Sequence, residues 1–152
     1  MTSKRHDEPI ETSLGGVSAG DAAEMVDAAL GNIAHAVLIG ASDHRLRIIL
    51  DEQMQPGPGF EVLLESGVGR LLTVFTRLTA TALGRDPSDP ELRARALALL
   101  GQVLVFRMAR KAVLRTLGWE KIGPDEFAIL EGAIRANTEA VMGYRANGAA
   151  AP

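Results

Sequence analysis

The sequence contains no cysteine among its 152 residues. Disulfide bonds, a catalytic thiolate and cysteine-ligated metal sites are therefore excluded, and such an absence is typical of proteins of a reducing cytoplasm. Aromatic residues make up only 4% of the chain, although 47% of it is hydrophobic. A core of alanine, leucine and valine with few rings favours closely packed helices over a β-sandwich, so we predict an all-α fold.

The sequence also lacks an excess of positive charge. It has 16 Lys and Arg against 19 Asp and Glu, a formal net charge of −3. Domains that bind nucleic acid on their own usually have a basic surface, so we expect no direct contact of this chain with DNA. The most apolar stretch, residues 96–106, is too short to cross a bilayer, and no apolar signal segment precedes it. We therefore expect a cytoplasmic protein with no membrane partner.

No pattern of a catalytic or metal site is present. His35 and His44 each lack a second histidine one helical turn away, and their spacing to Asp51 and Glu52 matches no recognised metal site. The sequence has no Ser-His-Asp order, glycine-rich phosphate loop or paired-carboxylate motif. We therefore predict no enzymatic activity, no metal and no cofactor.

Helical periodicity predicts one domain of about five helices over residues 19–145, with a disordered arm at 1–18 and a disordered tail at 146–152. Asp21 with Glu24, and Ser88 with Glu91, have the spacing of capping residues. A proline and glycine cluster at 55–59 breaks the chain after the second helix. The predicted helices run from Asp21 to Gly40, from Ser42 to Met54, from Phe60 to Gly84, from Ser88 to Leu117 and from Pro124 to Tyr144.

The fourth and fifth helices indicate dimerisation. Residues 96–106 are apolar on nearly all sides except at Gln102, so this helix needs cover on two faces, and part of that cover is expected from a second subunit. The fifth helix has a stripe of large apolar residues beside a stripe of small ones, and two such helices from each subunit form a four-helix bundle. The predicted interface residues are Leu99, Val103, Phe106, Phe127, Leu130, Ile134, Ala136, Ala140 and Val141. A monomeric core that uses both faces is the alternative.

A family resemblance rests on two segments. Residues 101–119 read GQVLVFRMARKAVLRTLGW and are followed by a Pro-Asp-Glu start to the last helix, and residues 51–60 read DEQMQPGPGF. Together these segments resemble the C-terminal domain of CecR-like members of the TetR family of transcriptional regulators, over about residues 20–144. The resemblance implies an all-helical domain that pairs through its last two long helices and encloses a pocket for a small apolar effector.

The family's DNA-binding unit of three helices has no counterpart before residue 20, so we expect this chain not to read DNA alone. The predicted function is that of a ligand-sensing and dimerisation domain, which forms a homodimer or pairs with a full-length TetR-type relative. In such a hybrid only one subunit would contact DNA, which weakens binding to a palindromic site. The alternative is a structural or dominant-negative helical dimerisation partner without a ligand.

Five residues are candidates for the effector pocket, because such pockets are mostly apolar with a few placed polar groups. They are Phe75, Thr76, Thr79, Gln102 and Phe106. The alternative for the threonines is a hydrogen bond to their own helix, and Gln102 requires a partner from its own core, a second subunit or a ligand. Arg107, Lys111 and Arg115 share one helix face and form either an anion site or a solvated basic helix end.

Overall fold

The computed structural model describes residues 15–40, 43–65 and 67–143, and within these ranges every regular element is helical. The predicted all-α class is confirmed. Residues 1–14 and 144–152, with most of the predicted arm and tail and the predicted end of the last helix at Tyr144, lie outside the described residues. The α-helices are α1 (Ala19–His35), α2 (Asp43–Met54), α3 (Pro58–Glu65), α4 (Gly67–Leu83), α5 (Pro90–Met108), α6 (Arg110–Leu117) and α7 (Pro124–Met142).

Helix α1 lies at the centre of the fold and continues into one π turn, Ala36–Gly40. It buries Ala22, Val26, Leu30 and Ala34 at four-residue intervals, which places one apolar stripe against α4, α5 and α7. By length and composition alone, the segment Ala19–Gly40 could cross a membrane. Because its apolar stripe is packed inside the bundle, the segment is a core helix and membrane insertion is not indicated.

The N-terminus of α1 is capped by Ser18 rather than by the predicted pair of Asp21 and Glu24. The Ser18 hydroxyl accepts a hydrogen bond from the backbone N–H of Asp21 at 3.1 Å and donates one to the Asp21 carboxylate at 2.7 Å. The helix therefore begins at Ala19, two residues earlier than Asp21, because the small hydroxyl side chain of Ser18 satisfies a free N–H of its first turn.

The predicted capping box of Ser88 and Glu91 is also wrong. Pro90 occupies the first helical position of α5, so the residue directly before it, Asp89, is the cap and accepts from the Glu91 N–H at 2.9 Å. The Ser88 hydroxyl donates instead to Asp86 at 2.7 Å. The capping residue thus lies one position later than the sequence pattern indicates.

The fourth predicted helix is divided in the structure. It becomes α5 and α6, which are separated at Ala109 with φ −94° and ψ 23°. The third predicted helix corresponds to α3 and α4, and residue 66 between them lies outside the described residues. No proline or glycine marks the break at Ala109, so the sequence offered no signal for it. The predicted stop after Leu117 is confirmed, because Gly118 adopts a left-handed conformation with φ 70° that favours glycine.

Candidate functional site

Helix α5 has two apolar faces, and the described residues, 15–40, 43–65 and 67–143, cover only one of them. Its inward face buries Leu92, Ala96, Leu99, Leu100 and Val103. On the opposite side three large apolar side chains are about half exposed: Leu97 at 56%, Val105 at 50% and Met108 at 55%. These outward residues step by three or four positions through Gly101, so they form one stripe along the helix.

Helix α7 has the same two-sided organisation. It buries Leu130, Ile134, Thr138 and Met142, whereas Ile129 is 60% exposed. The outward positions that follow Ile129 are small and exposed, and they are Gly132, Ala133, Ala136 and Ala140. A Cβ atom added at Gly132 would meet no atom within 4 Å, as is also true of Gly101 in α5, so both stripes are open.

The two stripes belong to helices that contact each other. Helices α5 and α7 contact each other and both contact α1, so their inward faces lie on the central helix and their outward faces point away from it. We call this surface the α5/α7 face. It consists of Leu97, Gly101, Val105 and Met108 of α5 with Ile129, Gly132, Ala133, Ala136 and Ala140 of α7.

The predicted interface residues are distributed over both sides of these helices. Ala136 and Ala140 are exposed on the α5/α7 face. Four other predicted residues are at most 3% exposed, so their side chains already pack in the core of the chain itself. They are Leu99, Val103, Leu130 and Ile134. Phe106, Phe127 and Val141 are half-buried against that core. The predicted set does not include Leu97, Val105, Met108 and Ile129. In α5, a stretch that is apolar all round gives no periodic signal to separate its faces.

Two of the five residues predicted to line an effector pocket are buried in the core. Phe75 and Thr79 are at most 1% exposed, and the Thr79 hydroxyl donates to the Phe75 carbonyl at 2.8 Å. Thr73 and Thr81 likewise donate to carbonyls of their own helix. In the structure these threonines thus make the hydrogen bonds to their own helix that the alternative interpretation expects. Thr76 and Phe106 are half-buried.

Gln102 finds a partner in its own chain. Its Nε2 donates to Thr138 Oγ1 at 3.1 Å, and the Thr138 hydroxyl donates to the Ile134 carbonyl at 2.7 Å. The Oε1 of Gln102 is buried and accepts no hydrogen bond from the part of the chain that the structure describes. This polar pair joins the inward faces of α5 and α7.

A cavity of about 600 Å³ lies where α2 faces the junction of α5 and α6. Four cationic side chains and one carboxylate are on its wall, and they are Arg47, Arg107, Arg110, Lys111 and Asp51. Leu50, Met108, Ala109 and Ala112 supply the remaining lining. Of the predicted basic stripe, Arg107 and Lys111 line the cavity and Arg115 does not. None of the five predicted effector-pocket residues lines it.

A surface charge cluster fixes the start of α5. Arg85 contacts Asp89 and Glu91, and Glu91 accepts a second hydrogen bond from Arg95 at 2.7 Å. Hydrogen bonds from Arg85 and then Arg95 lower the pKa of Glu91 to about 2. The backbone and hydroxyl of Ser88 lower the pKa of Asp86 in the same turn. On the other side of the bundle, Arg135 of α7 pairs with Asp27 of α1 at 3.2 Å.

Comparison with known proteins places the chain in a family. Residues 22–143 match the family described as "HTH-type transcriptional dual regulator CecR, C-terminal domain". A curated relative is the HTH-type transcriptional dual regulator CecR of Shigella flexneri, 23% identical over 96 residues, which are 63% of this chain. The matched region spans 43% of that relative's length. The resemblance in the sequence is thereby confirmed, and the chain belongs to the CecR family of TetR-type C-terminal domains.

Proposed function

We propose that this chain is the dimerisation and effector-binding domain of a TetR-type transcriptional regulator, and that it acts in the cytoplasm. The family match supports the regulator assignment. The observation that carries dimerisation is the α5/α7 face, where Leu97, Val105, Met108 and Ile129 are each at least 50% exposed. An exposed apolar surface of this kind marks a protein interaction site.

The occupant of the α5/α7 face is a second copy of the chain. A two-fold axis brings the same two helices from each subunit together, so one self-complementary surface covers itself. The four helices then form a bundle. Gly101, Gly132, Ala133, Ala136 and Ala140 allow close helix approach, while the larger side chains of α5 fill the space above the small ones of α7.

Helix α5 connects the proposed effector site to the α5/α7 face. The same helix carries the α5/α7 face on its outward side and ends at the cavity beside Ala109. A ligand that binds better to one orientation of α6 and α2 therefore biases the position of the end of α5, and with it the pairing of subunits. Regulation by a small molecule requires this kind of differential binding. It does not require the effector to contact the partner subunit.

Site-directed cross-linking tests the proposed dimer, and the chain suits it because it has no native cysteine. Ala136→Cys places one thiol on the α5/α7 face, and Ala28→Cys places one on an exposed position of α1 as the matched control. A short bismaleimide is expected to convert Ala136→Cys, and not Ala28→Cys, into a covalent dimer on a denaturing gel. Equal or negligible cross-linking of both variants contradicts the proposal, with Ala133→Cys serving as a second position on the face.

A further inference from the structure

We propose that the cavity between α2 and the α5–α6 junction binds a small organic anion, one with a carboxylate or similar group on an apolar body. The inference deepens the proposed function, since it names the chemical class of the effector. It rests on the side chains that line the cavity: Arg47, Arg107, Arg110, Lys111 and Asp51. Three elements of the fold, α2, the end of α5 and the start of α6, contribute to it.

The charge of the cavity is opposite to that of the molecule. Among the described lining residues, four cations and one carboxylate sum to a formal charge of +3, whereas the whole chain has a formal charge of −3. Like charges placed around one space repel each other, and an anion bound among them removes that repulsion. Arg110 is partly buried, so its attraction for an anion is screened less by solvent than that of surface side chains.

The rest of the lining indicates the body of the ligand. Leu50, Met108, Ala109 and Ala112 are apolar and can contact an aromatic or aliphatic group while the cations bind the charged group. The volume of about 600 Å³ falls in the range of roughly 300–1,000 Å³ that small-molecule sites occupy.

Among the described lining residues, Asp51 is the one group that opposes an anion. It lies exposed on α2, where it competes with the ligand for the neighbouring cations. Neutralising it with Asp51→Asn leaves the shape of the side chain unchanged and raises the net charge of the cavity by one. A stronger affinity for an anion in this variant cannot result from damage to the fold, which makes it a test independent of loss-of-binding variants.

The experiment compares two probes of the same shape and different charge, 1-naphthylacetate and 1-naphthylacetamide. Binding to the full chain is measured by calorimetry and by amide NMR shifts, in wild type and in three variants. The first is Arg110→Gln with Lys111→Gln, the second is Asp51→Asn, and the third is Arg115→Gln, a cation of α6 that does not line the cavity. Sedimentation of each variant gives its oligomeric state separately.

We expect the acid to bind about tenfold or more tightly than the amide and to shift the amide resonances of residues 109–112, with affinity falling as salt is raised. The double variant is expected to lose about tenfold in affinity, Asp51→Asn to gain a few-fold, and Arg115→Gln to change little. Equal binding of acid and amide, no binding of the acid, or equal losses in the double variant and Arg115→Gln would overturn the inference. A dimer that does not bind the acid refutes the anion site alone, whereas a monomer refutes the proposed dimer alone.

Discussion

Helices α4 and α5 have similar lengths, 17 and 19 residues, and both are rich in apolar side chains, but they differ in how those side chains are covered. Helix α4 buries Phe75 and Leu78 and presents Arg70 and Thr73 to solvent. Residues of the same chain therefore cover most of its single apolar face. Helix α5 buries an equivalent stripe and still exposes Leu97 and Val105. The comparison teaches that apolar content alone does not locate an interface, and that a second apolar face does.

The largest effect is expected where α4 meets the core. Phe75→Ala removes a ring that is 1% exposed and leaves a cavity, so it should lower the free energy of unfolding by about 3–5 kcal/mol. Leu71→Ala, at a position 41% exposed on the same helix, should cost far less. Urea unfolding followed by circular dichroism at one fixed protein concentration measures both. Similar losses in the two variants would mean that the difference in burial between the two positions does not set the cost of the substitution.

The second prediction concerns the α5/α7 face. Ile129→Glu places a carboxylate in the centre of the proposed interface, where it has no partner, and should raise the dissociation constant of the dimer by about 100-fold. Val62→Glu is the control, since Val62 is 65% exposed on α3, outside the α5/α7 face. Sedimentation velocity over a dilution series separates them. Equal dissociation constants for the two variants would contradict the assigned interface.

A third, smaller effect concerns the polar pair on the inward sides of α5 and α7. Thr138→Val leaves the Nε2 of Gln102 without its acceptor and should cost about 1–2 kcal/mol of stability. Gln102→Leu removes a buried oxygen that has no partner among the described residues, while Thr138 keeps its bond to the Ile134 carbonyl. The leucine variant is therefore expected to be as stable as wild type or more so, and a loss larger than that of Thr138→Val would show that the buried oxygen is satisfied.

The smallest effect is at the solvated start of α5. The folded chain holds the pKa of Glu91 at about 2, below its ordinary 4.5, so the carboxylate contributes stability above the higher value and loses it as the pH falls toward the lower one. Thermal midpoints of wild type and Glu91→Gln should differ most near neutral pH and converge as the pH drops through this window. Because the pair is exposed, the difference is expected to be small, and a difference independent of pH would contradict the assignment.

Much of the fold could be predicted from the sequence because turns and caps act locally. The cluster at 55–59, the stop at Gly118 and the start at Pro124 are signalled by residues with restricted or unusual backbone preferences. The break at Ala109 could not be predicted, since alanine favours helix and no local residue type signals an end there. The caps at Ser18 and Asp89 were each misplaced, although both are residue types that favour such positions.

The candidate sites were less predictable because they depend on which face of a helix points inward. Periodicity located the small residues Ala136 and Ala140 on the outside, but it could not separate Leu99 from Leu97 in a helix that is apolar all round. The cavity required Arg47 of α2 beside Arg110 of α6, a proximity that no local pattern encodes. Of the described residues that line the cavity, the sequence pattern indicated only Arg107 and Lys111, which are one helical turn apart.

The mass of the wild-type chain in solution tests the central claim most directly. Sedimentation equilibrium at several concentrations is expected to give about twice the 16.1 kDa of the single chain, with the mass falling only on strong dilution, because the exposed apolar face of α5 and α7 is covered in the dimer. A compact species of 16.1 kDa that persists at the highest concentration would contradict the account.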